Sequence, residues 1–421
     1  MSPSVNAPAA TAACASPIER TLASRLSCPG VEQAEVVVIG AGPAGLAAAG
    51  ALRHHGITAV VLERDSIGAS WRRHYDRLHL HTVRWLSHLP GYKLPRRYGN
   101  WVARDDVVEY LEDYVRAHNL DVRTGVEVER LERDGSDWIV STNNGTLAAP
   151  RVVIATGYNK HQHLPEWPGV DSYSGHLIHS GDYKNADRYV GKAVLVVGTG
   201  NSGAEICVDL VESGAKHVQM SVRTPPTVLL RDTNGVPGQA LGVVFRHLPV
   251  PLMDRLWPVI QKTAVGDLSD YGLPLPPPGA YSKYLRDDVT PILDVGLVPL
   301  LKQGKVEIVA AVEGFDGDDV LLADGARIQP DAVIAGTGFR RGLEPLVAGL
   351  SLLEPEKGRP IVHGAETHPS APGLHFIGYT NPISGMFREI AIDARRIART
   401  VANGTESVAA TAPDGAPKQA R

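Results

Sequence analysis

Two stretches of the sequence, VVVIGAGPAG at residues 36–45 and VLVVGTGNSG at 194–203, carry one pattern 158 residues apart. In each, an apolar β-branched run stops at a G-x-G-x-x-G cluster, a helical pattern follows, and a second buried strand comes next. The first unit runs through Val36 to Ile39, Pro43 to His55 and Thr58 to Leu62; the second continues through Asn201 to Val211 and His217 to Val222. The first glycine of each set, Gly40 or Gly198, permits a tight turn. The second, Gly42 or Gly200, lets a pyrophosphate approach the backbone. The third, Gly45 or Gly203, lets helix and strand pack closely. Pro43 and Ala44 in the first turn, and Asn201 and Ser202 in the second, open the helices whose N-termini face that anion. One such match constrains little, but two in strand-turn-helix-strand context commit the chain to an α/β fold with two Rossmann-like dinucleotide-binding domains.

Where each second strand ends, a side chain reports on the nucleotide. Glu63 stands 18 residues after Gly45, where a carboxylate accepts the ribose hydroxyl protons of an adenosine, and Arg64 beside it is grouped with the same site. In the second unit the strand ends in Arg223. A guanidinium there suits a ribose 2′-phosphate, so the second nucleotide reads as NADP rather than NAD. Two dinucleotides on one chain is the arrangement in which a nicotinamide reduces a flavin.

Composition narrows the partners. The 421 residues, 43% of them hydrophobic, can fill about two or three domains. A net charge of −4 gives no draw toward nucleic acid or an acidic membrane surface, which leaves a small molecule as the expected partner. Cys14, Cys28 and Cys207 form no C-x-x-C pair, so neither a dithiol redox centre nor a disulfide framework is written here, and a reducing cytoplasm fits. Residues 1–33 and 401–421 read as flexible tails, the first with a short helix at Ile18 to Leu26. Neither tail has the continuous apolar run of a secretory signal or a membrane anchor.

Between the two units stands YSGHLIHSGDY, residues 173–183. Gly175, His179 and Tyr183 meet the spacing F-x-G-x-x-x-H-x-x-x-(Y/F), with Tyr173 in place of Phe, and in this the chain resembles the flavin-containing monooxygenases. Ala155, Thr156 and Gly157, and AGTGF at 335–339 with Thr337 and Gly338, are similar to that family's interdomain linkers. YDRLHLHT (75–82), LPVPLMDRL (248–256), TPILDVGLVPLLKQGKVEIV (290–309) and AIDARRIA (391–398) look like its plant YUCCA-type branch, whose members oxidatively decarboxylate indole-3-pyruvate to indole-3-acetate. The resemblance runs from about residue 34 to 400.

That resemblance implies FAD in the first unit, NADPH in the second and O2 as co-substrate. NADPH reduces the flavin, oxygen adds at its C4a atom, and the protein positions the group and excludes water. The expected enzyme is a flavin-dependent monooxygenase acting on a small organic molecule, an arylpyruvate first of all. N- or S-oxygenation or a Baeyer–Villiger oxidation stays open, as does an NADPH-flavin reductase that passes electrons to a protein or quinone. A homodimer is left open too. The resemblance also implies an NADP domain, residues 189–325, inserted into an FAD domain made of 34–188 and 326–400.

Several residues then become candidates. His81 in LHLHT stands about where amine- and sulfide-oxidising relatives have Asn near the flavin; it is catalytic or a packed core histidine. His179 is either a proton relay or a brace for the hinge between nucleotide sites. Trp71 follows a small-residue loop against which relatives place the flavin, and ordinary packing is its alternative. Gly378 turns the chain before a helix, from about Ser384, which in related flavoproteins points its N-terminus at the flavin pyrimidine edge. His161, His163 and His176 lack Cys or acidic ligands in register and make a poor zinc site, so no metal is expected. The 225–289 insertion, with helices broken at Pro251 and Pro258 and an extended YGLPLPPPGAY connector, either roofs the active site or caps a subdomain. Within it Arg231, Tyr281 and Lys283 are candidate cations or donors for a carboxylate substrate.

Overall fold

Each of the two apolar runs becomes the middle strand of its own five-stranded parallel sheet. In the computed structural model, residues 30–233, 235–276, 279–287, 291–404 and 407–408 are described. The first sheet has the order Leu374–Phe376, Val152–Ile154, Val36–Ile39, Ala59–Glu63, Asp121–Thr124. The second runs His176–His179, Ala332–Ala335, Ala193–Val197, His217–Ser221, Val306–Val309. Val36, Val37 and Val38 are wholly buried, as a parallel strand covered on both faces must be.

Small residues set the layer spacing. Helix Pro43–His54 buries Ala47, Ala48, Ala49 and Ala51, and the buried Ala394 and Ala398 of helix Met386–Asn403 belong to the same core. With little more than methyl groups between them the two backbones approach closely, and the C-terminal segment is held on the first sheet. Each nucleotide unit also carries an antiparallel meander: Val128–Asp134, Asp137–Thr142 and Gly145–Ala149 in one, Val312–Asp316, Asp319–Leu322 and Arg327–Ile328 in the other.

Four expectations need adjustment. Val31–Gln33 is a strand paired in parallel with Gly145–Ala149, so ordered chain begins before residue 34; the predicted helix at Ile18 to Leu26 lies outside the described residues. At the other end helix Met386–Asn403 runs past residue 401, and Ser407–Val408 pairs with Glu366–Thr367. The second sheet recruits His176–His179 and Ala332–Ala335, and so extends beyond the bounds 189 and 325 on both sides. Pairing across the sheet, invisible to a linear scan, places these strands. Finally, Val250–Ala264 is one helix: Pro251 sits in its first turn, where a missing N–H costs nothing, and Pro258 is carried inside it.

Helix Met386–Asn403 also stores a pH dependence. Asp393 lies 3.4 Å from His363 Nδ1, and burial, aided by the nearby Glu389 charge, pushes its carboxyl up to about 7. A native value above the unfolded one means that this group favours the fold below about pH 4, and that the contribution is lost as pH rises through about 7. Asp393→Asn is therefore expected to raise the melting temperature at pH 8, and to raise it less at pH 5. Equal gains at both pH values in thermal melts would contradict the assignment.

Candidate active site between the two nucleotide turns

The two glycine turns are built alike. Gly40 and Gly198 have φ of 108° and 114°, a backbone that side-chain-bearing residues rarely adopt. A Cβ on Gly45 would lie 1.9 Å from the Gly40 carbonyl oxygen, and one on Gly203 would lie 2.4 Å from that of Gly198. At Gly42 and Gly200, by contrast, an added Cβ meets nothing within 4 Å. These two are also the N-cap residues of helices Pro43–His54 and Asn201–Glu212, and neither helix has a side-chain cap. Open space before uncapped N–H groups is what a pyrophosphate requires, so both turns fit the nucleotides inferred for them.

The two residues read as strand ends differ: Glu63 closes its strand, whereas the second strand stops at Ser221 and Arg223 stands two residues beyond it. Glu63 Oε2 accepts from Ala41 N at 2.8 Å and Oε1 from Asp65 N at 2.9 Å, which holds the carboxylate at the mouth of the first turn. Arg64 leans outward to Glu127 at 3.3 Å. Arg223 is exposed and has no ion-pair partner among the described residues, as a receptor for a 2′-phosphate should be. Arg223→Ala is expected to raise KM for NADPH about 10- to 100-fold and to narrow the preference over NADH, since a charged hydrogen-bond pair is lost. Steady-state kinetics with both nucleotides check this, and an unchanged preference would sink the assignment.

One cavity of about 560 Å³ joins the halves. Its wall includes Gly40, Gly42, Pro43, Ala44, Glu63, Arg64, Trp71, His81, Thr156, Gly157, Asn201, Ser202 and Gly378. Gly45, Gly198, Gly200, Gly203, Arg223, Thr337, Gly338 and His179 stand outside that wall among the described residues. Trp71 meets Phe387 edge to face with centroids 5.9 Å apart, and Gly385 and Met386 bring the N-terminus of helix Met386–Asn403 to the same wall. Thr156 is fixed through its N–H and its hydroxyl by the buried Tyr379 phenol, at 3.0 and 2.8 Å.

The insertion forms a wall of this cavity. Gln239 accepts from Val83 N at 2.9 Å and donates to Ser384 O at 2.7 Å, tying helix Gly238–Phe245 to the loops that flank the flavin end. Leu229, Phe245, Trp257, Ile260, Tyr284 and Ile383 line this side of the cavity.

His81 and His179 part company here. His179 is 1% exposed; its Nε2 donates to Gly338 O at 2.9 Å while Nδ1 accepts from Gly181 N at 3.0 Å. Burial lowers its pKa below the ordinary histidine value. With both ring nitrogens engaged inside the protein, it links strand His176–His179 to the AGTGF turn; of its two readings the geometry fits the brace and leaves no ring nitrogen open to relay a proton. His81, on the cavity wall, pairs through Nε2 with Glu205, whose other oxygen accepts from Tyr75 OH at 3.0 Å. Burial, and then the Glu205 charge, hold the Tyr75 phenol well above its ordinary pKa.

Glu205 was missed by sequence reasoning. It is 5% exposed on helix Asn201–Glu212, on the second nucleotide unit, yet its partners belong to the first. The available signal was one carboxylate among the buried Ala204, Ile206, Cys207 and Val208. One turn on, Asp209 accepts from Tyr183 OH at 2.6 Å and Arg77 at 3.1 Å, so the last residue of the 173–183 motif anchors this same helix. Cys207 is buried, and desolvation pushes its thiol up, which leaves it inert.

Comparison with known proteins agrees with this geometry. The profile of the pyridine nucleotide-disulphide oxidoreductase family matches residues 37–231. A protein of Oryza sativa subsp. japonica, indole-3-pyruvate monooxygenase YUCCA1, is 35% identical over 350 residues, covering 82% of this chain and 86% of its own length. The probable indole-3-pyruvate monooxygenase YUCCA3 of Arabidopsis thaliana is 32% identical over 381 residues, covering 87% and 86%. Among solved structures, the flavin-containing monooxygenase from Stenotrophomonas maltophilia superimposes with a TM-score of 0.68 and 27% identity, over 89% of this chain and 99% of that one. The chain thus belongs to the flavin-containing monooxygenases, in the company of their YUCCA-type members, and is a flavin-dependent monooxygenase that works with FAD and NADPH.

Proposed function

We propose that the substrate is a 2-oxo acid of the arylpyruvate class, such as indole-3-pyruvate, and that the reaction is its oxidative decarboxylation. One 2-oxo acid, one O2, one NADPH and a proton give a carboxylic acid one carbon shorter, carbon dioxide, NADP⁺ and water. The observation that carries this reading is the apolar stretch of wall formed by Phe245, Trp257, Tyr284, Leu229, Ile260 and Ile383, part of the same cavity that Trp71 and His81 line. Flat aromatic and aliphatic walls favour an aromatic ring. The activity named for the relatives supports the same class.

FAD, when bound, supplies the site of hydride acceptance and oxygen activation; the chain's own residues supply the rest. The two glycine turns and their helix N-termini hold the phosphates. Trp71, Phe387 and the insertion keep the cavity wall apolar and exclude water. His81, held by Glu205, is the titratable side chain placed to hold or pass a proton, with Tyr75 fixing the other carboxylate oxygen. Such chemistry fits a reducing cytoplasm, and no described helix is long and apolar enough to cross a membrane.

The test is product stoichiometry. Purified enzyme given NADPH, oxygen and indole-3-pyruvate should form indole-3-acetate and carbon dioxide in step with NADPH consumed. Oxygenated amine, sulfide or ester products, with the 2-oxo acid untouched, would replace the reading with another oxygenation; electron delivery to an acceptor without an oxygenated product would replace it with a reductase.

A further inference from the structure

Arg231 lines the same cavity as the apolar residues of the insertion. Arg231 follows strand Val228–Leu230, which pairs in parallel with Ile292–Asp294. Its guanidinium lies 4.7 Å from the centroid of the Trp101 ring, a residue of the first unit, so a flat aromatic face fixes the plane of the fork and leaves its edges free. The side chain is half-buried, and among the described residues no carboxylate stands within ion-pair distance of it. Asp232, Asp294 and Glu205 act on it only at longer range, and burial lowers its pKa. A partly desolvated guanidinium without a carboxylate partner is an arrangement that an anionic ligand completes.

Other candidates for this role fall away. Tyr281 is buried against Trp257 and Tyr284, with centroids 5.2 and 6.1 Å apart, and Lys283 is not on the cavity wall. Of the other cations on that wall, Arg64 pairs with Glu127 and Arg73 with Asp65, both far along the chain from the insertion, while Lys160 donates to Gly342 O at 3.4 Å. Both nucleotide pyrophosphates already have their own glycine turn and helix N-terminus, so Arg231 is not needed for either.

We propose that Arg231 is the carboxylate receptor of this cavity and selects 2-oxo acids over their neutral analogues. This rests on the arylpyruvate reading above and adds the residue that enforces it. Bidentate donation from the guanidinium would anchor the carboxylate at one end, the aromatic ring would lie against the apolar stretch of wall, and the keto carbon would be presented between them.

The experiment separates the two levels of the argument. Calorimetry on the oxidised, FAD-loaded protein without NADPH, where no turnover occurs, compares phenylpyruvate with its methyl ester. Wild type should bind the acid more tightly than the ester. Arg231→Gln should weaken acid binding about 10- to 100-fold, leave ester binding unchanged, and keep FAD content, melting temperature and the rate of flavin reduction by NADPH. Arg231→Lys should recover part of the loss, because it restores charge without the fork. If wild type binds the acid and Arg231→Gln binds it equally well, or if the variant instead weakens NADPH, the Arg231 assignment is overturned and the arylpyruvate reading survives. If wild type neither binds nor turns over any 2-oxo acid, both fall.

Discussion

A Gly42→Val protein is expected to fold and melt like wild type stripped of flavin, yet to leave purification with less than about a tenth of the usual FAD. The reason lies in where the new atoms go. Gly42 has φ −84° and ψ −176°, a conformation open to any residue, and its Cβ would meet no protein atom within 4 Å. The added Cβ therefore enters open space, and the valine side chain is expected to fill the space in front of the helix N-terminus. Gly45→Val makes the contrast, because its Cβ would lie 1.9 Å from the Gly40 carbonyl oxygen and the strand-helix packing itself must give way. Flavin absorbance per protein, measured beside a thermal melt, distinguishes the two. A flavin-replete Gly42→Val protein would show that the first turn does not cradle the pyrophosphate.

The second large effect is expected at Glu205. Glu205→Leu leaves the Tyr75 hydroxyl and the His81 Nε2 without their partner in a buried setting, a loss of about 1–3 kcal/mol for each abandoned group. Both partners sit on the cavity wall, so the disturbance reaches the reacting centre. The variant should still oxidise NADPH, but most of the oxygen consumed should appear as hydrogen peroxide rather than product. Glu205→Gln keeps the shape and can still accept from Tyr75, so its leak should be smaller. His81→Ala should leak as Glu205→Leu does, if the pair acts as one unit. The hydrogen peroxide to NADPH ratio, followed across pH, is the measurement. Full coupling in both variants would return His81 and Glu205 to a packing role.

These two predictions draw on different kinds of information. The first was legible in ten consecutive letters. A strand, a tight turn and a helix N-terminus need only local backbone chemistry, and the third glycine of each turn is required by a contact within the same stretch, Gly45 against Gly40 and Gly203 against Gly198. Glu63 and Arg223 were legible as positions for the same reason, since each stands at or just past the end of the strand next to its own turn, Arg223 two residues beyond Ser221. The motif at 173–183 was visible too, but its meaning was not. His179 hydrogen-bonds the Gly338 carbonyl, and Tyr183 donates to Asp209 on the helix of the second nucleotide unit.

The sequence by itself thus determined the α/β class, the pair of nucleotide turns and the candidate FAD and NADP positions, because all of these arise from interactions between residues close along the chain. Only the tertiary structure decided that strands 176–179 and 332–335 join the second sheet, that Glu205 meets Tyr75 and His81 across 130 and 124 positions, and that Arg231 rather than Tyr281 or Lys283 lines the cavity. Those outcomes depend on which surfaces are driven together when two separate cores close on one cavity. A buried carboxylate or a guanidinium without a partner acquires its meaning only from the groups that packing brings to it.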